Sequence, residues 1–354
     1  MKTALFCLTA SGYHLALKIK QSLDLQGEQA DLFAPGKEFV GLDQAKIFSS
    51  LAAAVEEAFS RYRRLIFVMA LGIVVRVIAP HIKDKNTDPA VVVLDEAGEH
   101  VISVLSGHLG GANELARLMA TLTGARPVIT TATDVHGLPA IDELARVYNL
   151  TMDPPSAARV INTALVNGGT VCFYVPNGIT RSNQIPGIEY RSPEEYPHRC
   201  ADTQYHVVIT NRIPDRETPN TVFLRPRNLV AGVGCRSGTA DDDIMAALNN
   251  ALGLCRCSLH SLRALATIDV KEQEPGLRKA AKVLNLPLVV FSPARINHFI
   301  QNSGHPIAFS EFVQQKVGTP AVCEPAALLA SRKGELLLPK HKFQGITIAV
   351  AEDR

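Results

Sequence analysis

The chain contains an almost wholly apolar run of seven residues, Arg64–Ala70 (RLIFVMA). A continuous run of this length and composition predicts a β-strand that is buried on both faces, as in sheets covered by helices. A strand at Lys2–Leu8 and an amphipathic helix at Gly12–Leu23 come earlier in the chain. This alternation predicts an α/β fold whose N-terminal domain has a parallel or mixed sheet.

The chain length and a change in composition predict three domains. A chain of 354 residues is long enough for two or three domains. A proline-bearing polar segment, Pro176–Pro219, interrupts the strong apolar runs. We therefore expect an N-terminal α/β domain at residues 1–135, a small middle α/β linker domain at 136–226 and a C-terminal α/β domain at 227–354.

Composition excludes several kinds of partner. The formal net charge is +2, which is too close to neutral to indicate a nucleic acid or a membrane surface as partner. No apolar stretch reaches the roughly 20 residues of a membrane span. The seven cysteines include no CxxC pair, which indicates free thiols in a reducing compartment, and we expect a cytoplasmic protein. Cys255–Arg256–Cys257 lacks a second pair of ligands, which favours a structural role over a metal site.

The segment Gly72–Asn113 concentrates polar chemistry between apolar runs. Val91–Leu94 and Val101–Leu105 are predicted to pair as a hairpin. The loop Ser106–Asn113 (SGHLGGAN) then leads into an alanine- and leucine-rich helix at Glu114–Leu122. A glycine-rich loop that enters a helix N-terminus exposes N–H groups and suits an anion.

Several residues of this segment are candidates for catalysis or binding. His108 lies at a glycine-flanked turn and is the candidate general base. Asp95 and Glu96 could orient His108, act themselves, or only form the hairpin turn. Arg76, Lys83 and Lys85 could bind carboxylates. His81, His100 and His108 match no metal motif, so no metal site is predicted.

The C-terminal part contains a second glycine-rich turn, Gly232–Gly238 (GVGCRSG). It differs from a dinucleotide fingerprint by one residue, and acidic residues follow it where a phosphate would bind. A nucleotide site is therefore disfavoured. Either the turn presents Arg236 to a carboxylate, or it is a plain strand-to-helix turn.

Long motifs resemble those of the cobalt-precorrin-5A hydrolases of anaerobic cobalamin biosynthesis. These motifs are GIVVRVIAP, KNTDPAVVVLD and SGHLGGAN near the N-terminus, and GVGCRSG, LATIDVKEQEPGL, VCEPAALLAS and LLLPK towards the C-terminus. The resemblance implies an enzyme that opens the δ-lactone of cobalt-precorrin-5A and releases acetaldehyde, giving cobalt-precorrin-5B. The cobalt belongs to the substrate, so no cofactor and no protein metal are implied.

Under this resemblance the residues take specific roles. We expect His108 to be the general base, oriented by Asp95 or Glu96, and the N–H groups of Gly110–Ala112 to serve the oxyanion or a substrate carboxylate. Ser106 as a covalent nucleophile is disfavoured, since the G-x-S-x-G elbow is absent. The residues expected to bind the carboxylate-fringed substrate are Arg76, Lys85, Asp88, Ser106, Gly107, Gly110, Gly111, Asn113 and Arg236.

The resemblance also implies partners for this chain, and an alternative function remains open. The partner is a cobalt-corrinoid substrate, with neighbouring precorrin methyltransferases and a second copy of the chain as further candidates. The alternative function is a non-catalytic carrier of corrinoid intermediates, which would bind the substrate without releasing acetaldehyde.

Overall fold

The computed structural model describes residues 2–36, 44–84, 87–176, 187–197 and 205–354. They form two compact units, Met1–Arg146 and Val147–Arg354, with one β-sheet in the first and two in the second. The predicted α/β class is confirmed, with parallel and mixed pairing in three successive sheets. The predicted domain boundaries stay predictions.

The first unit alternates strands and helices. Its elements are β1 (Thr3–Cys7), α1 (Ala10–Leu25), β2 (Ala30–Pro35), β3 (Ala45–Phe48), α2 (Leu51–Arg61), β4 (Arg64–Val68), α3 (Leu71–Ile78), a 3₁₀ turn (Ala79–His81), β5 (Ala90–Leu94), β6 (His100–Leu105), α4 (Ala112–Thr123), β7 (Arg126–Val128), α5 (Ala132–Val135) and α6 (Ile141–Val147).

The seven strands of this unit follow the order β3-β2-β1-β4-β5-β6-β7. The predicted apolar strand is β4, which lies between β1 and β5 and pairs in parallel with both. Its residues from Leu65 to Val68 are fully buried, because α1 and α4 pack on one face of the sheet and α2 and α3 on the other. A strand covered on both faces needs apolar side chains at every position.

A reversal of direction sets the position of the SGHLGGAN loop. β6 is antiparallel to β5, with Val91 opposite Leu105 and Leu94 opposite Val101, and β7 is parallel to β6. The loops that leave β6 and β7 therefore emerge from the same edge of the sheet, the edge at which β5 begins.

The second unit contains two five-stranded sheets. Its elements are β8 (Leu150–Asp153), α7 (Ala157–Val166), β9 (Val171–Tyr174), β10 (Ile188–Arg191), a 3₁₀ turn (Pro193–Glu195), β11 (Tyr205–Ile209), β12 (Thr221–Pro226), β13 (Leu229–Cys235), α8 (Asp241–Leu254), a 3₁₀ turn (Leu259–Ser261), β14 (Leu262–Ile268), a 3₁₀ turn (Asp269–Lys271), α9 (Pro275–Val283), β15 (Leu288–Phe291), α10 (Pro293–Asn302), α11 (Glu311–Val317), α12 (Cys323–Ala330), β16 (Glu335–Phe343) and β17 (Ile346–Glu352).

These two sheets follow the orders β10-β9-β11-β12-β8 and β15-β14-β13-β17-β16. Their strands are parallel except β8, β16 and β17, which pair in antiparallel fashion. In the ranges that the structure describes, no helix combines the length and the apolar character that a membrane span needs.

Candidate active site

The loop between β6 and α4 is folded tightly by its glycines. Ser106 has a φ of +58° and Gly111, the residue before α4, has a φ of +83°, a region that favours glycine. A Cβ at Gly110 would lie 2.7 Å from the carbonyl oxygen of Ser106. The close approach of Gly110 to Ser106 therefore leaves no room for a side chain there.

Carbonyl oxygens of the loop accept hydrogen bonds from the first N–H groups of α4. The N–H groups of Gly111, Ala112 and Asn113 donate to the carbonyl oxygens of His108, Ser106 and Gly107 at 3.0, 3.1 and 3.0 Å, respectively. Two of the three N–H groups expected to serve an oxyanion, those of Gly111 and Ala112, are thus engaged inside the loop. The anion site predicted at this helix N-terminus is reduced to the N–H of Gly110.

His108 lies between two carboxylates, with a partner at each ring nitrogen. Nδ1 lies 3.3 Å from Oδ2 of Asp142, and Nε2 lies 3.2 Å from Oδ2 of Asp134. The hydroxyl oxygen of Thr133 is also 3.0 Å from Nε2. The side chain of His108 is 16% exposed, so these contacts are partly shielded from water. The Thr133 hydroxyl (a nucleophile or proton donor), the His108 imidazole (the base) and the Asp142 carboxylate (the orienting group) are therefore in contact, as acid–base catalysis requires.

The two carboxylates raise the pKa of His108 above its ordinary value. The largest cause is the hydrogen bond with Asp142, which together with Asp134 outweighs the opposing effect of burial. Stabilisation of the imidazolium makes His108 a better proton acceptor.

Asp134 connects the two loops that leave the neighbouring strands β6 and β7. Its Oδ2 accepts hydrogen bonds from the Thr131 hydroxyl at 2.6 Å and from Nδ2 of Asn113 at 2.9 Å. Arg117 forms an ion pair with its other oxygen. Burial would raise the pKa of Asp134, but these donors and His108 hold it below its usual value. Asp134 therefore stays ionised and fixes the position of His108.

A cation lies against the glycine turn. The guanidinium of Arg146 would be 3.7 Å from a Cβ placed at Gly111, and it forms an ion pair with Glu114 at 2.7 Å. Its buried Nε has no hydrogen-bond partner within the part of the chain that the structure describes. Arg146 thus brings positive charge and a free donor next to the loop.

Asp95 and Glu96 lie at the opposite edge of the sheet from His108. Asp95 accepts hydrogen bonds from the backbone N–H groups of Glu99 and His100 at 3.1 and 2.7 Å, at the start of β6, whereas His108 follows its end. A six-residue strand spans roughly 20 Å. The structure therefore does not bring either carboxylate to His108, and His100 and His108 are likewise separated.

A cavity lies beside Asp95 at that opposite edge, where β4 and β5 end. It encloses about 420 Å³ and is lined by Met69, Ala70, Leu71, Val93, Asp95, Glu96, His100 and Ile102. Burial would raise the pKa of Asp95, but backbone N–H groups of the turn hold it below its usual value. Its carboxylate thus serves the hairpin turn, one of the three roles that the sequence allowed.

The other predicted binding residues are spread over several places. Asp88 is buried and accepts the N–H groups of Lys83 and Asp84, and its carbonyl oxygen accepts the Ser106 hydroxyl at 3.1 Å. That bond directs the Ser106 hydroxyl to the backbone of Asp88, and among the described residues no hydrogen bond joins this hydroxyl to His108. Lys85 lies outside the described residues.

Four further predicted residues are placed as follows. Asn113 bridges Asp134 and the Ser103 hydroxyl, which donates to its Oδ1 at 2.7 Å. Gly107 packs against this side chain, since a Cβ there would lie 2.9 Å from Oδ1 of Asn113. Arg76 is exposed on α3. Arg236 is exposed after β13 and belongs to the second unit.

Thr133, Asp134 and Asp142 were not predicted as site residues from the sequence. A signal was present, since a polar run, Thr131–Asp134, follows the strand β7 just as SGHLGGAN follows β6. Parallel neighbours end at the same edge of a sheet, so the two loops must meet. The parallel pairing of β6 and β7 is not visible in the sequence.

Comparison with known proteins identifies relatives over most of the chain. Three family profiles match consecutive segments: "Cobalamin synthesis G N-terminal" at residues 53–134, "Cobalamin biosynthesis central region" at 139–226 and "Cobalamin synthesis G C-terminus" at 229–351.

Two full-length relatives carry the same name. The cobalt-precorrin-5A hydrolase of Salmonella typhimurium is 36% identical over 350 residues, 98% of this chain and 96% of that protein. The cobalt-precorrin-5A hydrolase of Priestia megaterium is 33% identical over 359 residues, 95% of this chain and 91% of that protein. A solved structure of a cobalamin biosynthesis protein G homolog from Sulfolobus solfataricus is 21% identical, with a TM-score of 0.42, and covers 100% of this chain and 97% of that one.

Proposed function

This chain belongs to the cobalamin synthesis G family, and we propose that it hydrolyses cobalt-precorrin-5A with His108 as the acid–base group. The relatives that match it over nearly their full length are named as hydrolases of that substrate, which supports an enzyme over a non-catalytic carrier. The observation that carries the site is the contact of His108 with Asp142 at one ring nitrogen and Thr133 at the other.

Opening of the lactone requires an activated water. With Nδ1–H donating to Asp142, Nε2 of neutral His108 accepts the proton of the Thr133 hydroxyl, 3.0 Å away, beside the Asp134 carboxylate at 3.2 Å. Water attacks the lactone carbonyl and passes its proton to the Thr133 hydroxyl, which passes its own to Nε2. The resulting imidazolium is stabilised by Asp142 and Asp134.

Collapse of the tetrahedral intermediate returns the proton. The imidazolium of His108 protonates the alkoxide that leaves the lactone, so the products are an alcohol and a carboxylic acid, which then ionises in water. During this cycle the negative oxygen needs donors. We assign this role to the N–H of Gly110 and to Arg146, whose Nε is unpartnered within the described ranges.

Loss of the two-carbon fragment follows from ring opening. Neutral His108 takes the proton of the new alcohol, the adjacent carbon–carbon bond breaks to yield acetaldehyde, and the delocalised macrocycle accepts the electron pair of that bond. The cobalt is part of the substrate, so this reaction assigns no cofactor to the chain. The cytoplasm, where neighbouring precorrin methyltransferases would exchange unstable intermediates with it, is the proposed place of action.

Anaerobic incubation with cobalt-precorrin-5A tests this function. The purified chain should release one acetaldehyde per substrate molecule. The absorption spectrum should change to that of the product, in which the lactone is open and the two-carbon fragment has been lost. Tight binding of the substrate with no acetaldehyde would instead support the carrier function.

A further inference from the structure

The helix α3 exposes apolar side chains to solvent, which ordinary surface helices do not. Its eight residues are LGIVVRVI, and only Val74 and Ile78 are buried. Leu71, Ile73 and Val75 remain 39%, 38% and 48% exposed. Surface helices normally carry polar residues at such positions, and a contiguous exposed apolar patch marks an interaction site.

A cation lies within this apolar patch. Arg76 is exposed, and its Nη1 donates to the carbonyl oxygen of Gly72 at 2.9 Å in the preceding turn. In the parts of the chain that the structure describes, no carboxylate lies within ion-pair distance of Arg76. Its charge is therefore available to an external anion.

The patch adjoins a cavity at the N-terminal end of α3. Leu71, the first residue of α3, lines the cavity of about 420 Å³. β4 and β5 are parallel neighbours, so α3 leads the chain from the edge at which β4 ends back towards the edge at which β5 begins. The SGHLGGAN loop leaves β6 at that second edge.

The size of the patch favours a small molecule over a protein. An eight-residue helix is about 12 Å long and roughly 10 Å wide. A stable protein interface buries about 800 Å² on each partner, which one face of so short a helix cannot supply. A flat macrocycle with charged side chains at its rim fits both the area and the isolated cation.

We propose that the exposed face of α3, with the adjoining cavity, binds the apolar face of the corrinoid ring, and that Arg76 pairs with a carboxylate at its rim. This proposal rests on the proposed function for the identity of the ligand. Apolar contact of the ring with Leu71, Ile73 and Val75 supplies the free energy, and the bidentate geometry of the guanidinium orients the ring.

The test is a binding titration that needs no turnover. Cob(II)yrinic acid, a cobalt corrinoid with free carboxylates and one face without an axial ligand, and its methyl ester are titrated anaerobically against the full-length chain by absorbance. Val75→Asp places a charge against the ring and should weaken binding of both probes by about tenfold or more. Arg76→Gln should weaken binding of the acid and leave that of the ester unchanged.

A matched control excludes a general effect of an added carboxylate. Leu25, on α1, is 90% exposed, and Leu25→Asp should bind both probes as the unchanged chain does. Thermal unfolding of each variant establishes that it is folded. Unchanged affinity for both probes in Val75→Asp overturns the proposal, and a changed sedimentation coefficient in that variant would then assign the patch to self-association.

The outcome is separable from that of the proposed function. If the chain binds the corrinoids through α3 but releases no acetaldehyde from cobalt-precorrin-5A, the hydrolase function fails and the docking surface stands. If acetaldehyde forms and Val75→Asp binds like the unchanged chain, the docking surface fails and the hydrolase function stands.

Discussion

A histidine at a glycine turn indicated the site, but its partners lie on the helices α5 and α6. His108 stands 34 positions before Asp142, whereas the residues predicted to orient it were the nearer Asp95 or Glu96. The prediction from closeness in sequence was wrong, because the strand β6 lies between these residues and His108 and carries the chain from one edge of the sheet to the other. The chemistry of a side chain could be predicted from its type, whereas its neighbours depend on the direction of β6 and β7.

The pH dependence of the rate tests the role of Asp142. Because Asp142 is the largest cause of the raised pKa of His108, its removal lowers that pKa. The general base acts when neutral, so the acidic limb of the kcat/KM profile should move to lower pH in Asp142→Ala, and the maximal rate should fall.

The conservative variant supplies the control for this shift. Asp142→Glu keeps the charge and should retain an acidic limb above that of Asp142→Ala. An acidic limb at the same pH in the unchanged chain and in Asp142→Ala would contradict the assignment of Asp142 as the partner of His108.

At the scale of elements, strands with a clear apolar pattern could be predicted from the sequence, whereas the reversals of strand direction within the sheet could not. The continuous apolar run is β4, and the predicted hairpin is β5 with β6. The residues of α3 are mostly β-branched or leucine, which does not distinguish a short helix from a buried strand. Its identity as a helix, and hence the exposure of Val75 and Arg76, became apparent only with packing.

The loop before α4 depends on the absence of a side chain at Gly110. A Cβ there would meet the carbonyl oxygen of Ser106 at 2.7 Å, so Gly110→Ala should lower the free energy of unfolding by about 1–3 kcal/mol. Displacement of the loop should also reduce turnover. Urea unfolding and acetaldehyde release measure the two effects.

Gly253 offers a matched control for this substitution. It lies in α8, and a Cβ there would meet nothing within 4 Å. Gly253→Ala should therefore be neutral, or stabilising by up to about 1 kcal/mol because alanine favours a helix. Equal stability of Gly110→Ala and the unchanged chain would show that the loop can relax around a methyl group.

At the scale of the molecule, the alternation of strands and helices predicted the fold class but not the contacts that join the two sheets of the second unit. Glu352, at the end of β17, accepts hydrogen bonds from Nδ2 of Asn211 at 2.6 Å and of Asn228 at 3.1 Å. These partners lie 141 and 124 positions away in the chain. Nothing in the local sequence around Glu352 indicates them.

Removal of this carboxylate tests whether it stabilises the second unit. Glu352→Ala leaves two amide groups without their acceptor and should lower the free energy of unfolding by about 1–3 kcal/mol. Glu335→Ala removes a carboxylate that is 63% exposed and should cost no more than about 1 kcal/mol. Equal effects of the two substitutions in denaturant unfolding would contradict a stabilising role for Glu352.

The rate of acetaldehyde release from cobalt-precorrin-5A by His108→Gln, measured under anaerobic single-turnover conditions, tests the catalytic site most directly. Loss of the general base should reduce this rate by roughly 10²–10⁴-fold, while His14→Gln, a change at an exposed histidine on α1, should leave it unchanged. A rate for His108→Gln close to that of the unchanged chain would contradict the role of His108 as the acid–base group.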